Sequence, residues 1–489
     1  MKIFDSNRVN PGISVSIIPL LFLVVTLIGI IVFMGSDRVG DYSPLILFAA
    51  GIVTVVLSLV TTRRTWRHLW IGLVKSSRQI LPCVPILMCI GAVAATWMLS
   101  GVVPTMICYG LEFLQPGLFL MEACMICAVV SVLSGSSWTT IATVGVALMG
   151  VGTVMGYGAG WVAGAIISGA YFGDKVSPLS DTTVLASSTC GVGLFSHIRN
   201  LAFTTVPAIV ITLIVFAIVS LNHAGPAVSE EVDVINRLHE VFNITPWTLV
   251  IPLITIVLLI FRMGTATTLV LSSLAGMAGT FLLQPQLFGT LGMEGEGLWH
   301  WLKVSLSMIF TSTEFHTGDE MVDSLATTGG VMGMGTTILL VLCGMFFGGM
   351  LLGSGIITTL TRCFQKRLSD RGGIVTATVS SGVLMNSCTA DQFLSIIICG
   401  NLYKGVYRRA GIEPKVLSRS LEDGISVTSV LIPWNSCGVT QSTVLGVATL
   451  TYFPFCLFNL LSPLCSIGLA YTVYFLGRRG YWRKVMGRR

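Results

Sequence analysis

Apolar residues fill long uninterrupted runs of this chain, and most charged residues lie between those runs. A helix needs about 20 apolar residues to cross the hydrocarbon core of a bilayer, and several runs approach or exceed that length. The pattern therefore predicts transmembrane helices rather than the half-polar elements of a soluble domain. The clean runs are Ile13–Met34, Leu45–Val60, Leu81–Leu99, Leu201–Ser220, Leu249–Phe261, Leu269–Leu283, Thr337–Leu352 and Tyr452–Phe475.

The composition agrees with a membrane protein. Of the 489 residues, 53% are hydrophobic and 10% are charged, whereas soluble domains carry roughly 25% charged residues. These values exclude the disordered, fibrous and nucleic-acid-binding classes. The run Ile13–Met34 is too long for the core of a signal peptide and is interpreted as the first span. The predicted fold class is an all-α polytopic membrane protein.

The distribution of charge predicts how the chain is oriented, because cytoplasmic loops are enriched in Lys and Arg. Basic residues cluster at positions 63–78, 362–371 and 404–419 and in the tail Arg478–Arg489. We expect these segments and the N-terminus in the cytoplasm. The charged residues of the central segment Leu221–Asn243 are mainly acidic, and this segment is expected outside.

This arrangement requires each half of the chain to cross the membrane an odd number of times. The two halves then have opposite orientations, as in transporters built from inverted repeats. We predict an N-terminal transmembrane half over residues 1–222, an external linker over 223–245, and a C-terminal transmembrane half with a basic tail over 246–489.

The first polar interruption of an apolar segment is Ser134–Thr140. Unwound backbone at membrane depth persists only where it is packed in protein or lines a wet cavity. Its carbonyls and hydroxyls are hard oxygen ligands that suit a small cation such as Na⁺. The alternative is a face of small residues that lets two helices approach closely. The candidate binding residues here are Ser134, Ser136, Ser137 and Thr139.

The second interruption closes the Gly-rich stretch Gly164–Thr183, where two carboxylates, a lysine and several hydroxyls follow an apolar helix. Charged residues within spans are costly and usually face a cavity or an ion pathway. Pro178 is expected to break the helix and free carbonyl groups. An ordinary cytoplasmic loop is the alternative. The candidates are Asp174, Ser177, Ser180, Asp181 and Thr182.

The second half of the chain contains its own pair of interruptions, at Asn386–Gln392 and Ile432–Gly438. Broken segments at corresponding positions of two halves point to a binding site between repeats. Asp391 is the best candidate in this half for a carboxylate that carries a proton or a cation. The candidates are Asn386, Thr389, Asp391, Gln392, Asn435 and Ser436.

Other polar residues carry weaker signals. Glu122 lies alone in an apolar run and is either functional or bonded to a neighbouring helix. The acidic cluster Glu314–Asp323 is either a solvated loop or a vestibule that gathers cations. An enzyme is disfavoured, because no His or Lys stands at a helical spacing from Ser137 or Ser436 to act as a base.

Four of these segments together resemble the NhaC family of Na⁺/H⁺ antiporters. They are the GAYFGDKVSPLSDTT string at 169–183, the polar motif Ser134–Thr140, the TADQ string at 389–392, and Leu417–Gly438. The resemblance covers roughly residues 80–449. It implies inverted repeats with re-entrant hairpins and cation–proton exchange across a cytoplasmic membrane. The residues that it places in the transport site are Asp174, Ser177, Asp181, Thr182, Asp391, Gln392 and Asn435.

We therefore expect Na⁺/H⁺ exchange by alternating access, with Asp174, Asp181 and Asp391 as the carboxylates that contact Na⁺. No resident cofactor is expected. Because the family also contains a malate–lactate exchanger, the alternative is exchange or symport of a small carboxylate or an amino acid with Na⁺ and H⁺. Membrane lipid is an expected partner, nucleic acid is not, and a homodimer is an assembly to be tested.

Overall fold

The computed structural model describes residues 11–35, 39–62, 64–223, 228–261, 263–287, 298–312, 323, 327–365 and 370–478. The basic tail beyond residue 478 and the acidic cluster from residue 314 to 322 lie outside the described residues. The α-helices of the first half are α1 (Ile13–Met34), α2 (Val39–Thr61), α3 (Trp66–Ile80), α4 (Cys83–Leu99), α5 (Val102–Phe113), α6 (Phe119–Ser134), α7 (Ser137–Thr140), α8 (Val146–Val154), α9 (Ala159–Val176), α10 (Asp181–Cys190) and α11 (Leu194–Leu221).

The described chain from residue 228 onward is also helical and begins with the amphipathic helix of the central segment. Its helices are α12 (Val228–Val241), α13 (Val250–Ile260), α14 (Thr265–Leu283), α15 (Leu298–Phe310), α16 (Gly330–Gly333), α17 (Gly335–Ser354), α18 (Ile356–Gln365), α19 (Arg371–Thr389), α20 (Gln392–Arg409), α21 (Pro414–Leu421), α22 (Ser436–Leu445), α23 (Thr449–Tyr452) and α24 (Leu457–Arg478).

The prediction of an all-α polytopic membrane protein is confirmed. Among the described residues, 8 helices are long and apolar enough to cross a membrane, and up to 10 spans result if each of two sharply bent helix pairs is one span. One of these pairs joins α12 to α13 at an angle of 83°. The helix α3, which the apolar pattern did not predict, continues into α4 as one candidate span over Trp66–Leu99.

Glycines set the closest helix contacts in the molecule. A Cβ added to Gly169 of α9 would lie 2.0 Å from the carbonyl oxygen of Cys124 in α6, and one at Gly173 would lie 2.5 Å from that of Ala128. Only glycine allows two helices to approach so closely, as in other membrane proteins. The Gly-rich sequence of α9 is therefore explained by packing, and this contact places the end of α9 beside the end of α6.

The hydrophobic core forms separate clusters, and the largest of them in the described residues extends through both halves. It combines Phe119 and Tyr171 of the first half with Val430 and Phe458 of the second. The last helix, α24, packs against α9 and α11. The halves are thus interlocked around the broken segments, while the domain boundaries and the opposite orientation of the halves stay predictions.

Candidate ion-binding site

The first break separates α6 from α7 with two residues. Gly135 has a φ of +68°, which lies in the left-handed region and ends α6. Ser136 then caps α7, since its hydroxyl accepts a hydrogen bond from the N–H of Thr139 at 3.2 Å. The hydroxyl of Ser134 contacts that of Thr140 at 3.2 Å across the gap. The hydroxyls of this motif thus satisfy the backbone that the break exposes.

The third break, between α19 and α20, repeats this geometry. Ala390 has a φ of +56°, and the carboxylate of Asp391 caps α20 by accepting from the N–H of Leu394 at 2.8 Å. The hydroxyl of Thr389 contacts that of Ser395 at 2.7 Å across the gap. Ala390, Asp391 and Thr389 each lie the same number of positions after their counterparts Gly135, Ser136 and Ser134 in the first break. The two halves therefore carry the same local structure, as the paired interruptions predicted.

The second break, between α9 and α10, and the fourth break, just before α22, are separated by the same number of residues as the first and third. Pro178 and Pro433 each follow the end of a helical segment. Ser180 caps α10 by accepting from a backbone N–H at 3.4 Å, and Asn435 caps α22 in the same way at 3.1 Å. All four helices that follow a break thus begin with a side chain that caps a backbone N–H group.

In each half, a hydrogen bond joins the two breaks: the first to the second in one half, and the third to the fourth in the other. The Asp174 carboxylate at the end of α9 accepts from the N–H of Ser137 at 3.2 Å and from its hydroxyl at 2.7 Å. At the corresponding positions, Ser429 donates to the side-chain oxygen of Gln392 at 3.3 Å. The same contact therefore carries a negative charge in the first half and is neutral in the second.

A narrow cavity, too tight in this conformation to admit a water molecule, lies between the halves at these contacts. Asp174 and Thr182 line it from the first half, and Gln392 lines it from the second, so three of the residues proposed from the sequence meet there. Carboxylate, hydroxyl and amide oxygens are suitable ligands for a hard cation. The full lining is Tyr171, Asp174, Lys175, Thr182, Gln392, Glu422, Ser426 and Val427.

Asp391 lies in a second, fully buried polar centre beside this cavity. One of its carboxylate oxygens caps α20, and the other accepts from the hydroxyl of Ser436 at 3.4 Å. The N–H of Ser436 also donates to the carbonyl of Ala390 at 2.9 Å. No ion pair to Asp391 is found within the described residues, so its charge is balanced only by neutral donors.

The remaining sequence candidates hold the breaks in shape rather than line the cavity. Ser177 donates to the carbonyl of Val132 at 2.8 Å and so fixes the end of α9 to α6. Asn386 donates to the carbonyl of Ile425 at 2.6 Å and fixes α19 to the segment after α21. The candidates found outside the cavity lining are Ser134, Ser136, Ser137, Thr139, Ser177, Ser180, Asp181, Asn386, Thr389, Asp391, Asn435 and Ser436.

Asp181 does not line the cavity with Asp174. It is the first residue of α10, and its side chain is exposed. The structure thus divides the three carboxylates proposed to contact Na⁺: Asp174 lines the cavity, Asp391 lies in the neighbouring buried centre, and Asp181 lies outside both. No group of three or more His, Cys, Asp or Glu side chains that could hold a metal ion is found in the described part of the chain.

Lys175 is buried and already paired. Its ammonium group donates to the carboxylate of Asp423 and, at 2.7 Å, to the hydroxyl of Ser462. Thr204 donates to the same carboxylate oxygen at 3.1 Å. This network connects α9 to α11, α24 and the segment after α21.

Four cavity residues were not predicted from the sequence: Tyr171, Glu422, Ser426 and Val427. Tyr171 has the pattern of a core residue. Glu422 and Ser426 bound a π-helical turn, Glu422–Ser426, that follows α21, and such turns are frequent at functional sites. The sequence did contain a signal for Glu422, because Glu422 and Asp423 form an adjacent acidic pair in an otherwise apolar stretch.

Glu122, one of the weaker candidates, has a structural explanation. Glu122 accepts a hydrogen bond from the backbone N–H of Gln115 at 3.0 Å, just before α6, and so stabilises the entry into that helix. The cysteines of the described residues are free thiols, and most are buried.

Comparison with known proteins gives the family. The model of the Na⁺/H⁺ antiporter family matches residues 169–473. The Na⁺/H⁺ antiporter NhaC of Alkalihalophilus pseudofirmus is 34% identical over 94% of this chain and 96% of its own length. A malate-2H⁺/Na⁺-lactate antiporter of Bacillus subtilis is 32% identical over 90% of each chain. The arginine/ornithine antiporter ArcD of Halobacterium salinarum is 31% identical over 96% of this chain and 93% of its own. The chain therefore belongs to the Na⁺/H⁺ antiporter family.

Proposed function

We propose that this protein exchanges Na⁺ for H⁺ across the cytoplasmic membrane. The observation that carries the proposal is the cavity between the paired breaks, where Asp174, Thr182 and Gln392 present oxygen atoms at the centre of an interlocked membrane protein. The relatives named as Na⁺/H⁺ antiporters support the same activity over nearly the whole chain.

Exchange follows from competition for buried carboxylates. An ionised carboxylate within a membrane protein is costly unless a cation or a proton balances it. Asp174 and Asp391 therefore hold either Na⁺ or H⁺ as the protein alternates between its two open states. Release of one cation on one side makes room for the other, so the two fluxes are coupled without a further device.

The second candidate is exchange of a small carboxylate or an amino acid, which the names of two relatives describe for those proteins. The carboxylate of such a solute would pair with a basic side chain or with helix N-termini. Lys175 lines the cavity, but it is already bonded to Asp423 and Ser462. A solute carboxylate that binds Lys175 would have to displace that pairing, whereas a bare cation would not.

The test uses purified protein in liposomes that contain a pH-sensitive dye. We expect Na⁺ alone to drive proton movement in the wild type and not in Asp174→Asn or Asp391→Asn. Asparagine is itself a good helix cap, so the second substitution removes the charge of Asp391 while keeping α20 capped. Asp181→Asn, at an exposed position, is expected to keep at least part of the exchange.

The matched control is Asp370→Asn, because Asp370 precedes α19 at the opposite end of that helix from Asp391. Wild-type exchange in Asp174→Asn and Asp391→Asn would contradict the proposed mechanism. Silence with Na⁺ until malate, lactate or an amino acid is added would instead establish the second candidate.

A further inference from the structure

The cavity beside Asp174 collects polar atoms that have no hydrogen-bond partner. Both carboxylate oxygens of Glu422, the hydroxyl of Ser426 and the hydroxyl of Tyr171 make no hydrogen bond of normal geometry to any described residue, although Ser426 faces Glu422 and Tyr171 faces the thiol of Cys437 at longer range. Glu422 is 0% exposed and the other two are at most 5% exposed. Buried polar groups in native proteins nearly always have partners, so this concentration points to a ligand that supplies them.

The position of these atoms is set by the backbone. Glu422 and Ser426 are the first and last residues of the π-helical turn after α21, and both line the cavity. Tyr171 comes from α9, one turn before Asp174. Three unsatisfied side chains from two different segments thus converge on the space that Asp174 also lines.

Glu422 has no basic partner that would explain its burial. The nearby ammonium of Lys175 is bonded to Asp423 and Ser462 instead, and no ion pair to Glu422 is found in the part of the chain that the structure describes. With Asp174, the cavity therefore contains two carboxylates. Such a lining repels anions and suits a hard cation.

We propose that Glu422 is a cation-binding residue, which together with Ser426 and Tyr171 completes the site that Asp174 begins. The inference rests on the proposed function, since it takes Na⁺ as the cation. Glu422 supplies the second carboxylate, and the two hydroxyls supply neutral oxygen atoms. The corresponding position in the first half is Ile167, so this carboxylate belongs to one half alone.

The test measures how the exchange rate depends on Na⁺ concentration in proteoliposomes. Loss of a charged ligand predicts that Glu422→Gln raises the half-saturating Na⁺ concentration by about 10- to 100-fold, and Ser426→Ala or Tyr171→Phe by about 2- to 10-fold. The matched control is Glu413→Gln, at an exposed glutamate that pairs with Lys415 nearby in the same segment. It is expected to keep the wild-type value.

A purely structural role for Glu422 would give a different result. In that case Glu422→Gln lowers the maximal rate and leaves the half-saturating concentration unchanged, which overturns the proposal. If Glu422→Gln does not fold, the hydroxyl variants decide. Wild-type half-saturation in both Ser426→Ala and Tyr171→Phe overturns the proposal equally.

A binding measurement separates this inference from the proposed function. Na⁺ is expected to raise the Tm of the purified wild-type protein in detergent and not that of Glu422→Gln. If the Tm responds in this way but Na⁺ drives no proton movement, the function is wrong and the site stands. If exchange is robust and the Tm of Glu422→Gln still rises with Na⁺, the site is wrong and the function stands.

Discussion

Lys175 shows how a single residue joins distant parts of the chain. Its side chain is 1% exposed, and its partner Asp423 is fully buried. Asp423 also accepts hydrogen bonds from Thr204 and Ser462 and lies 3.9 Å from the guanidinium of Arg419. Breaking one side of a buried ion pair leaves the other charge without compensation, which costs more than the pair contributes when it is intact.

We expect Lys175→Met to lower the free energy of unfolding by about 3–5 kcal/mol. The double variant with Asp423→Asn is expected to regain part of that loss, because it removes both charges. Thermal unfolding in detergent measures the effect. Lys415→Met, at an exposed pair, is the control and should change stability by at most about 1 kcal/mol. A double variant as unstable as the sum of its single changes would contradict this explanation.

The sequence located Asp174 and Asp391 because each stands in a polar motif within an apolar segment. It did not single out Glu422, because the acidic pair Glu422–Asp423 does not show that the π-helical turn brings Glu422 to the cavity. It also grouped Asp181 with Asp174, although the two belong to different helices. Proximity along the chain does not decide which side of a break a side chain faces.

At the scale of the element, the first and third breaks solve one problem with different residues. Both require a left-handed residue between two helices, and this conformation costs an L-amino acid roughly 1–2 kcal/mol. The first break uses Gly135 and the third uses Ala390. The third break therefore keeps a strain that glycine would remove.

Exchanging these two residue types is expected to have opposite effects. Ala390→Gly relieves the strain and should raise stability by up to about 1 kcal/mol, after the larger entropy of glycine in the unfolded chain is subtracted. Gly135→Ala adds a Cβ that would lie 2.6 Å from the side chain of Leu179, and should lower stability by about 2 kcal/mol or more. Thermal unfolding of both proteins checks this, and a shift of the same sign in both would refute it.

At the scale of the whole molecule, the apolar runs predicted the spans, because length and composition suffice for that. The interlocking of the halves could not be predicted, since it depends on contacts such as those of Gly164 with Phe455 and of Lys175 with Asp423. The sequence shows each of these residues but not the distant residue that it contacts.

The orientation of the chain is a prediction that belongs to this scale. The distribution of basic residues places both termini in the cytoplasm and the segment around α12 outside. Single cysteines introduced at Asp233 and at Lys404, in a variant without its native cysteines, should react with a membrane-impermeant thiol reagent from opposite sides of the cell membrane. Labelling of both positions from the same side would contradict inverted halves.

The pairing of Lys175 with Asp423 also has a consequence for biosynthesis. A ribosome delivers α9 to the membrane long before the segment that carries Asp423, so Lys175 enters the bilayer without its countercharge. Until the later helices arrive, the nascent first half holds an uncompensated ammonium group, although α9 can already pack against α6. The half-made chain is therefore the form in which this buried charge is unbalanced, and synthesis of the segment with Asp423 removes that cost.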